Sequence, residues 1–270
     1  MTGAAGSDGR EPMRVGLIGL GAIGQGVVGL ASEISQPSLR LVGAIVRDPA
    51  RPRPAGSPEV VETVDALLAR KPEVVVEVAG HDGLRQHGPA VLRAGVDLVA
   101  VSVGALAHPE VHDDLLAAAE EGHARLTVAS GAIGALDAIG AAAVGGLTRV
   151  THTTRKPPVT LLGEAGARLT EPREVFRGSA RAAALEFPES VNVAAAVSLA
   201  GIGLDRTEVR VIADPALARN RHEVEVEGAF GVLTFTIENV PTRNNARTAR
   251  LVAMSIIRTL QRRRAPIVIG

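Results

Sequence analysis

The tightest constraint on what this chain can fold into is the run from Arg14 to Gly29, RVGLIGLGAIGQGVVG. Val15 to Ile18 predicts a short buried strand, and Ile23, Val27, Ala31 and Ile34 recur at helical spacing. Gly19, Gly21 and Gly24 therefore form G-x-G-x-x-G between a strand and a helix, the context in which that spacing carries information. Each glycine then has its own task. Gly19 permits a tight turn, Gly21 lets backbone approach a pyrophosphate, and Gly24 lets the helix lie close to the strand. The helix start directs unpaired N–H groups and the positive end of its dipole at the phosphates. Gly19, Gly21, Ala22, Ile23 and Gly24 are thus candidate cofactor-binding residues, and NAD or NADP is the expected cofactor.

Length and charge bound the rest. The 270 residues suffice for two lobes with a core each, and 29 basic residues balance 29 acidic ones. A basic cluster, Arg258 to Arg264, follows an apolar helical pattern, where cations favour the dipole of a helix C-terminus, so nucleic acid is not an expected partner. The absence of cysteine excludes disulfides, thiolate catalysis and cysteine-bound metal. Ala138 to Leu147 is too short and too rich in glycine to span a bilayer. Met1 to Pro12 is polar and reads as a disordered tail rather than a signal peptide. A soluble, cytoplasmic protein is expected, without a membrane partner.

Downstream, Leu39 to Val46 predicts a second strand, ending at the place where a Rossmann unit meets the adenosine ribose. Arg47 followed by Asp48 at that point suggests that NADP is accepted beside NAD, or else two solvated turn residues. Ser57 and Pro58 predict a helix start, with Val61, Val64, Leu67 and Leu68 on one face to Arg70. Glu73 to Ala79 reads as a central parallel strand whose carboxyl end runs into Ala79, Gly80 and His81, where ligands collect in an open α/β sheet. Leu84 to Ala94, Asp97 to Val103, Pro109 to Glu121 and Arg125 to Ala129 continue the alternation of helix and strand, which predicts a parallel sheet with right-handed crossovers. Ser130 to Gly134 repeats the Gly-Ala-Ile-Gly tetrad before a helix from Leu136 to Ala143, a plausible floor for the nicotinamide.

From Thr148 the pattern changes. Val150 to Thr154, Thr207 to Ala213, His222 to Glu227 and Val232 to Ile237 alternate as strands do, while Ala180 to Glu186 and Val191 to Ile202 read as helices. Gly228 to Gly231 predicts a hairpin turn. The last helix is predicted over Arg247 to Arg262, with Asn244 and Asn245 as capping residues and an anion site formed with Arg247 and Thr248. The expected fold class is α/β: a Rossmann dinucleotide-binding domain plus an α+β substrate domain with a mainly antiparallel sheet.

Alternation places His222 on one face with Val224 and Val226, opposite Glu223, Glu225 and Glu227. The pattern favours a hydrogen-bonded core histidine over an active-site imidazole there. His152, between Val150 and Thr154, reads as packed; His81 and His87 lie near the central strand end; His108, His112 and His123 read as solvated. No spacing suits a metal. Arg155 and Lys156 precede two prolines at a strand end, where they could hold substrate carboxylates or simply be solvated.

Taken together, Gly16 to Gly24, Ser102 to Leu106, Ser130 to Asp137, Thr154 to Pro158, Asn192 to Ala195, Asn220 to Glu223 and Glu238 to Pro241 resemble, in the same order, the motifs of L-aspartate dehydrogenases. The resemblance covers nearly all of the chain after the tail. It implies NAD(P)-dependent oxidative deamination of L-aspartate to iminosuccinate, which hydrolyses to oxaloacetate and ammonia or feeds NAD biosynthesis. It also implies an active-site role for His222, contact of Ala132 and Asn192 with the nicotinamide half of the cofactor, Ser102 in the cofactor site, and a homodimer. Two departures stand out: Ala246 and Ala249 replace the proline and serine before the last helix, and Ala135 replaces a glycine.

The expected organisation is a tail over 1–12, a Rossmann domain over 13–129 plus 246–270, and a substrate and dimerisation domain over 130–245. Arg155, Lys156 and Arg247, assisted by Thr248, are expected to hold the two carboxylates of aspartate. Rival readings are another two-lobe oxidoreductase, like homoserine dehydrogenase or dihydrodipicolinate reductase, and a dinucleotide-binding regulator without activity.

Overall fold

The computed structural model describes residues 11–34, 38–54, 56–187, 191–242 and 245–269, without the side chains of 245–248. The expected N-terminal tail lies outside the described residues through position 10. The chain forms two compact units, one comprising the residues up to Ser102, Glu110–Ala129 and those from Val252 on, the other comprising Val103–Pro109 and Ser130–Leu251.

Short valine-rich strands separated by helices can satisfy their backbone groups and bury both faces only in a parallel sheet. In the first unit the elements are β1 (Met13–Ile18), α1 (Ala22–Glu33), β2 (Leu39–Ile45), β3 (Val60–Val61), α2 (Val64–Leu68), β4 (Val74–Glu77), α3 (His81–Arg93), β5 (Asp97–Ala100), α4 (Pro109–Glu121) and β6 (Leu126–Val128). The strands run parallel in the order β3-β2-β1-β4-β5-β6. That is the doubly wound Rossmann order, and its topological switch point lies between β1 and β4. Val74, Val75 and Val76 are wholly buried, as expected of a central strand covered on both faces.

Two expectations in this unit are corrected. The helix predicted from Pro58 is absent: Val60 and Val61 pair with Ala44 and Ile45 at the sheet edge, and the shorter α2 starts only after Thr63, whose side chain accepts from Ala66 N–H at 3.1 Å. The β-branched pair gains strand hydrogen bonds there that a helix would not give it. The strand predicted to Val103 ends at Ala100, because Ser102 turns back to Glu77 and a 3-10 turn occupies Val103–Ala107.

The second unit contains α5 (Leu136–Val144), β7 (Leu147–Lys156), α6 (Pro158–Leu162), β8 (Arg173–Ser179), α7 (Ala180–Glu186), α8 (Asn192–Ala200), β9 (Glu208–Ala213), β10 (Arg221–Gly228), β11 (Gly231–Glu238), β12 (Pro241–Thr242) and β13 (Asn245–Ala249). The large sheet has the order β11-β10-β7-β9-β8. Its pairings are antiparallel except β7 with β9, which is parallel, so it is mixed with an antiparallel majority. Strand β8 and helix α6 escape the sequence patterns. Arg173, Glu174, Arg177 and a register shift between Glu174 and Phe176 break the alternation of β8, and α6 is only five residues long.

One face of this sheet is apolar: Val150, Val224 and Val226 pack with Ile133, Ile139, Val193 and Val197 from the adjoining turn, α5 and α8. The other carries charge, with Arg149 bound to Glu225 and Glu227. The final helix, α9 (Arg250–Arg262), starts three residues later than predicted, since residues 245–249 form strand β13 instead of a helix cap. Its buried face includes Val252, Ile256 and Leu260. Ala253 lies so near α1 that a Cβ on Gly26 would sit 3.0 Å from it, and Arg264 reaches Glu73 at 2.7 Å.

Candidate functional site

In the first unit, the glycine turn follows β1. Gly19 has φ +102°, and a Cβ there would lie 2.8 Å from the backbone of Val78 and Ala79. A Cβ on Gly24 would lie 2.5 Å from the Gly19 carbonyl oxygen, which is why α1 can start so close to the strand. Gly21 differs: a Cβ added there meets nothing within 4 Å, so the position is open. It is also the N-cap of α1, and no side chain caps that helix end. The first N–H groups, at Ala22 and Ile23, therefore have no intrahelical partner and suit an anion. These observations fit a pyrophosphate seated over Gly21.

At the end of β2, Arg47 and Asp48 are exposed. The Asp48 carboxylate accepts from Ala50 N–H at 3.0 Å, and Arg53 donates to the carbonyl of Pro49 at 2.9 Å. Asp48 is thus engaged in its own turn, with Arg47 exposed beside it.

At the end of β4, the sequence-predicted residues Ala79, Gly80 and Ser102 converge on a group that sequence reasoning passed over, Glu77. It is wholly buried. One carboxylate oxygen accepts from Ala79 N–H (2.7 Å), Gly80 N–H (3.0 Å) and Ser102 Oγ (2.8 Å), and the other from Ser102 N–H (3.2 Å). Burial pushes its pKa up, and these donors oppose that shift. A glutamate inside Val-Val-Val-Glu-Val was the available signal. His81 follows as the first residue of α3 and is half-buried.

In the second unit, His222 is 6% exposed and stands directly across from Thr154 on β7. Its Nδ1 lies 3.2 Å from Nε2 of the buried His152, and the two rings stack with centroids 5.4 Å apart. Lys156, also buried, follows Thr154 on the same face by strand alternation. Burial first, and then the Lys156 ammonium, push the His222 imidazole down to about 4. Burial, His222 and Lys156 push His152 well below the usual histidine range. Both rings are neutral at pH 7.

Strand alternation turns Arg155 to the opposite face from His222, where it binds Glu223 at 3.2 Å and Asp214 at 3.4 Å. Those two carboxylates compete with a substrate carboxylate for its guanidinium. Asn192, the first residue of α8, accepts from Gly104 N–H at 2.9 Å, and the carbonyl of Ala132 accepts from Asn239 at 2.9 Å. These bonds hold the 103–107 turn and the 130–134 turn to the same unit. The side chains of Arg247 and Thr248 lie outside the described residues, as does Asn244; their backbone at 247 and 248 is strand, not the first turn of a helix. Among the described residues no group of His, Asp and Glu could hold a metal ion, and no helix is long and apolar enough to cross a membrane.

With this geometry in view, the similarities to known proteins have a structural counterpart in each half. Residues 19–129 match the NAD-binding domain family of homoserine dehydrogenase, and residues 137–263 match the C-terminal domain family of aspartate dehydrogenase. The L-aspartate dehydrogenase of Ruegeria pomeroyi is 45% identical over 95% of this chain and 94% of its own length. That of Pseudomonas aeruginosa is 43% identical over 92% and 96%. The crystal structure of aspartate dehydrogenase from Thermotoga maritima superimposes with a TM-score of 0.80 at 27% identity, covering 96% of this chain and all of that one. A homoserine dehydrogenase complexed with NADPH shares the fold at a TM-score of 0.61 and 10% identity. A glycine cradle built for a dinucleotide and a buried histidine strand, both within full-length similarity to these enzymes, place the chain in the L-aspartate dehydrogenase family.

Proposed function

We propose that this protein catalyses NAD(P)-dependent oxidation of L-aspartate to iminosuccinate, which hydrolyses to oxaloacetate and ammonia. The observation that carries the substrate assignment is similarity to L-aspartate dehydrogenases over more than nine-tenths of both chains, so neither half stands alone. When bound, the nicotinamide accepts the hydride leaving C2 of the substrate.

The protein's own residues supply binding and proton transfer. The Lys156 ammonium faces the same side of the sheet as His222 and can hold a substrate carboxylate, with Arg247 and Thr248 as further ligands. Loss of hydride requires an unprotonated substrate amine, and neutral His222 can accept that proton. For Nε2 to carry the lone pair, Nδ1 must bear hydrogen, and His152 Nε2 is placed to accept from it. Binding a dianionic substrate offsets the Lys156 charge and raises the basicity of His222 when it is needed. Ala132 and Asn192 meet the nicotinamide half of the cofactor in this reading, and the active form is a homodimer in the cytoplasm. A supply of iminosuccinate to NAD biosynthesis is compatible with the same chemistry.

The test is formation of reduced cofactor, followed by its near-ultraviolet absorbance, with aspartate, homoserine and other amino acids, using NAD and NADP in turn. Aspartate-dependent reduction is expected. Cofactor binding without turnover of aspartate would overturn the assignment, and light scattering at one chain mass would remove the dimer.

A further inference from the structure

Glu77 is a wholly buried carboxylate that the reaction as described does not use, and it occupies a particular place. It ends β4, in register with Ile18 of β1 on one side and Ala100 of β5 on the other. The β1/β4 boundary is the switch point at which ligands enter open α/β sheets. Every contact on its two oxygens comes from a donor: the N–H groups of Ala79, Gly80 and Ser102, and the Ser102 hydroxyl. The Ser102 oxygen in turn accepts from Gly80 N–H at 3.1 Å. Such a set is complementary to an ionised carboxylate.

Building the sheet does not require this. Burying a carboxylate is costly, and an apolar residue would end a central strand equally well. What the carboxylate adds is definition of two chain exits at once. It holds Ala79 and Gly80 after β4, with Gly80 at φ +100°, and Ser102 after β5. The same Val78–Ala79 backbone lies 2.8 Å from where a Cβ on Gly19 would sit, so only the missing side chain leaves it room. The glycine turn and the carboxylate therefore both bear on the chain where it leaves β4.

We propose that Glu77 is a positioning residue for the cofactor: its buried carboxylate joins the exits of β4 and β5 into a preformed rim, against which the dinucleotide binds. The inference rests on the dinucleotide-binding part of the reading above and not on the substrate. Replacement by glutamine keeps the shape but turns an NH2 group either towards Ser102 N–H or towards the Ala79 and Gly80 N–H groups, so the rim loosens while the sheet remains.

The experiment measures NADH binding by the fluorescence of the reduced nicotinamide, together with kcat at saturating NAD and aspartate. For Glu77→Gln, NADH affinity is expected to fall about ten- to hundredfold, with kcat retained to within about threefold. Wild-type affinity, or a collapse of kcat at unchanged affinity, would overturn the proposal. Should Glu77→Gln fail to fold, Ser102→Ala decides: affinity about three- to tenfold weaker is expected, and unchanged affinity overturns it. Because binding is read without aspartate, a protein that shows these losses yet never oxidises aspartate would refute the substrate assignment alone.

Discussion

In the first unit the candidate site is made largely of backbone. Gly19, Gly21 and Gly24 matter because they lack a side chain, and Ala79, Gly80 and Ser102 contribute N–H groups held by one carboxylate. In the second unit the candidate residues act through side chains, with His222, His152 and Lys156 gathered on one sheet face and Arg155 turned to the other. The contrast separates two kinds of failure. A backbone cradle is damaged by adding atoms, whereas an imidazole and ammonium pair is damaged by removing them or by changing their charge.

The largest expected effect lies on the side-chain half. His222→Gln should lower kcat/KM for aspartate by about a hundred- to ten-thousandfold, the range for loss of a general base. NADH affinity should stay near wild type, since no glycine or rim residue is altered. Unchanged turnover would remove His222 from the mechanism and erase the contrast.

Within the backbone half, Gly19→Ala and Gly21→Ala should part company. Gly19→Ala forces a side chain onto φ +102° and into the Val78 backbone, and should destabilise the fold by about 1–3 kcal/mol or more. Gly21→Ala has φ −73° and free space, so stability should move by less than about 0.5 kcal/mol while NADH binding weakens. Thermal unfolding with and without NADH reads both. Equal destabilisation by the two variants would mean that the turn is built for packing and not for a ligand.

The histidine pair sharpens the comparison through pH. His222 is held at about 4 in the folded chain against a usual 6.5, so the unfolded chain binds the extra proton first. The stability from keeping this ring neutral is complete above pH 6.5 and is lost as pH falls from there towards 4. Acid unfolding followed by circular dichroism should show that loss, and His222→Gln should reduce it, with His152 keeping its own share. In the same window His152→Phe should reduce kcat about tenfold by removing the acceptor for His222 Nδ1–H, without changing NADH affinity.

The smallest effect belongs to Ala135, which precedes α5 with φ +62° in the left-handed region. Ala135→Gly should stabilise the protein by about 0.5–1 kcal/mol, read as a raised unfolding midpoint. No gain would mean that the Ala135 methyl contributes packing that offsets its strain.

Much of this was legible in the chain. The strand-glycine-helix order, the valine runs and the His222-Val224-Val226 alternation are local patterns, and local sterics and periodicity are what a sequence records directly. The 58–70 segment was misread because Val60 and Val61 fit either a helical face or an edge strand, and only the open edge of β2 chose between them. The 245–249 segment was misread for the same kind of reason, since Asn245 and Ala249 pair with Thr242 and Pro241 in a strand instead.

By itself, the sequence determined that a dinucleotide turn would follow the first strand, that the sheet around it would be parallel, and that His222 would share a face with valines. Only the tertiary structure decided that Glu77 would gather donors from residues up to 25 positions away, that His152 would back His222 across 70 positions, and that Arg155 would meet Glu223 and Asp214 on the far face. The physical reason is that charge, burial and hydrogen bonding depend on which strands become neighbours. Pairing order is set by the packing of the whole unit, not by the residues that end up touching.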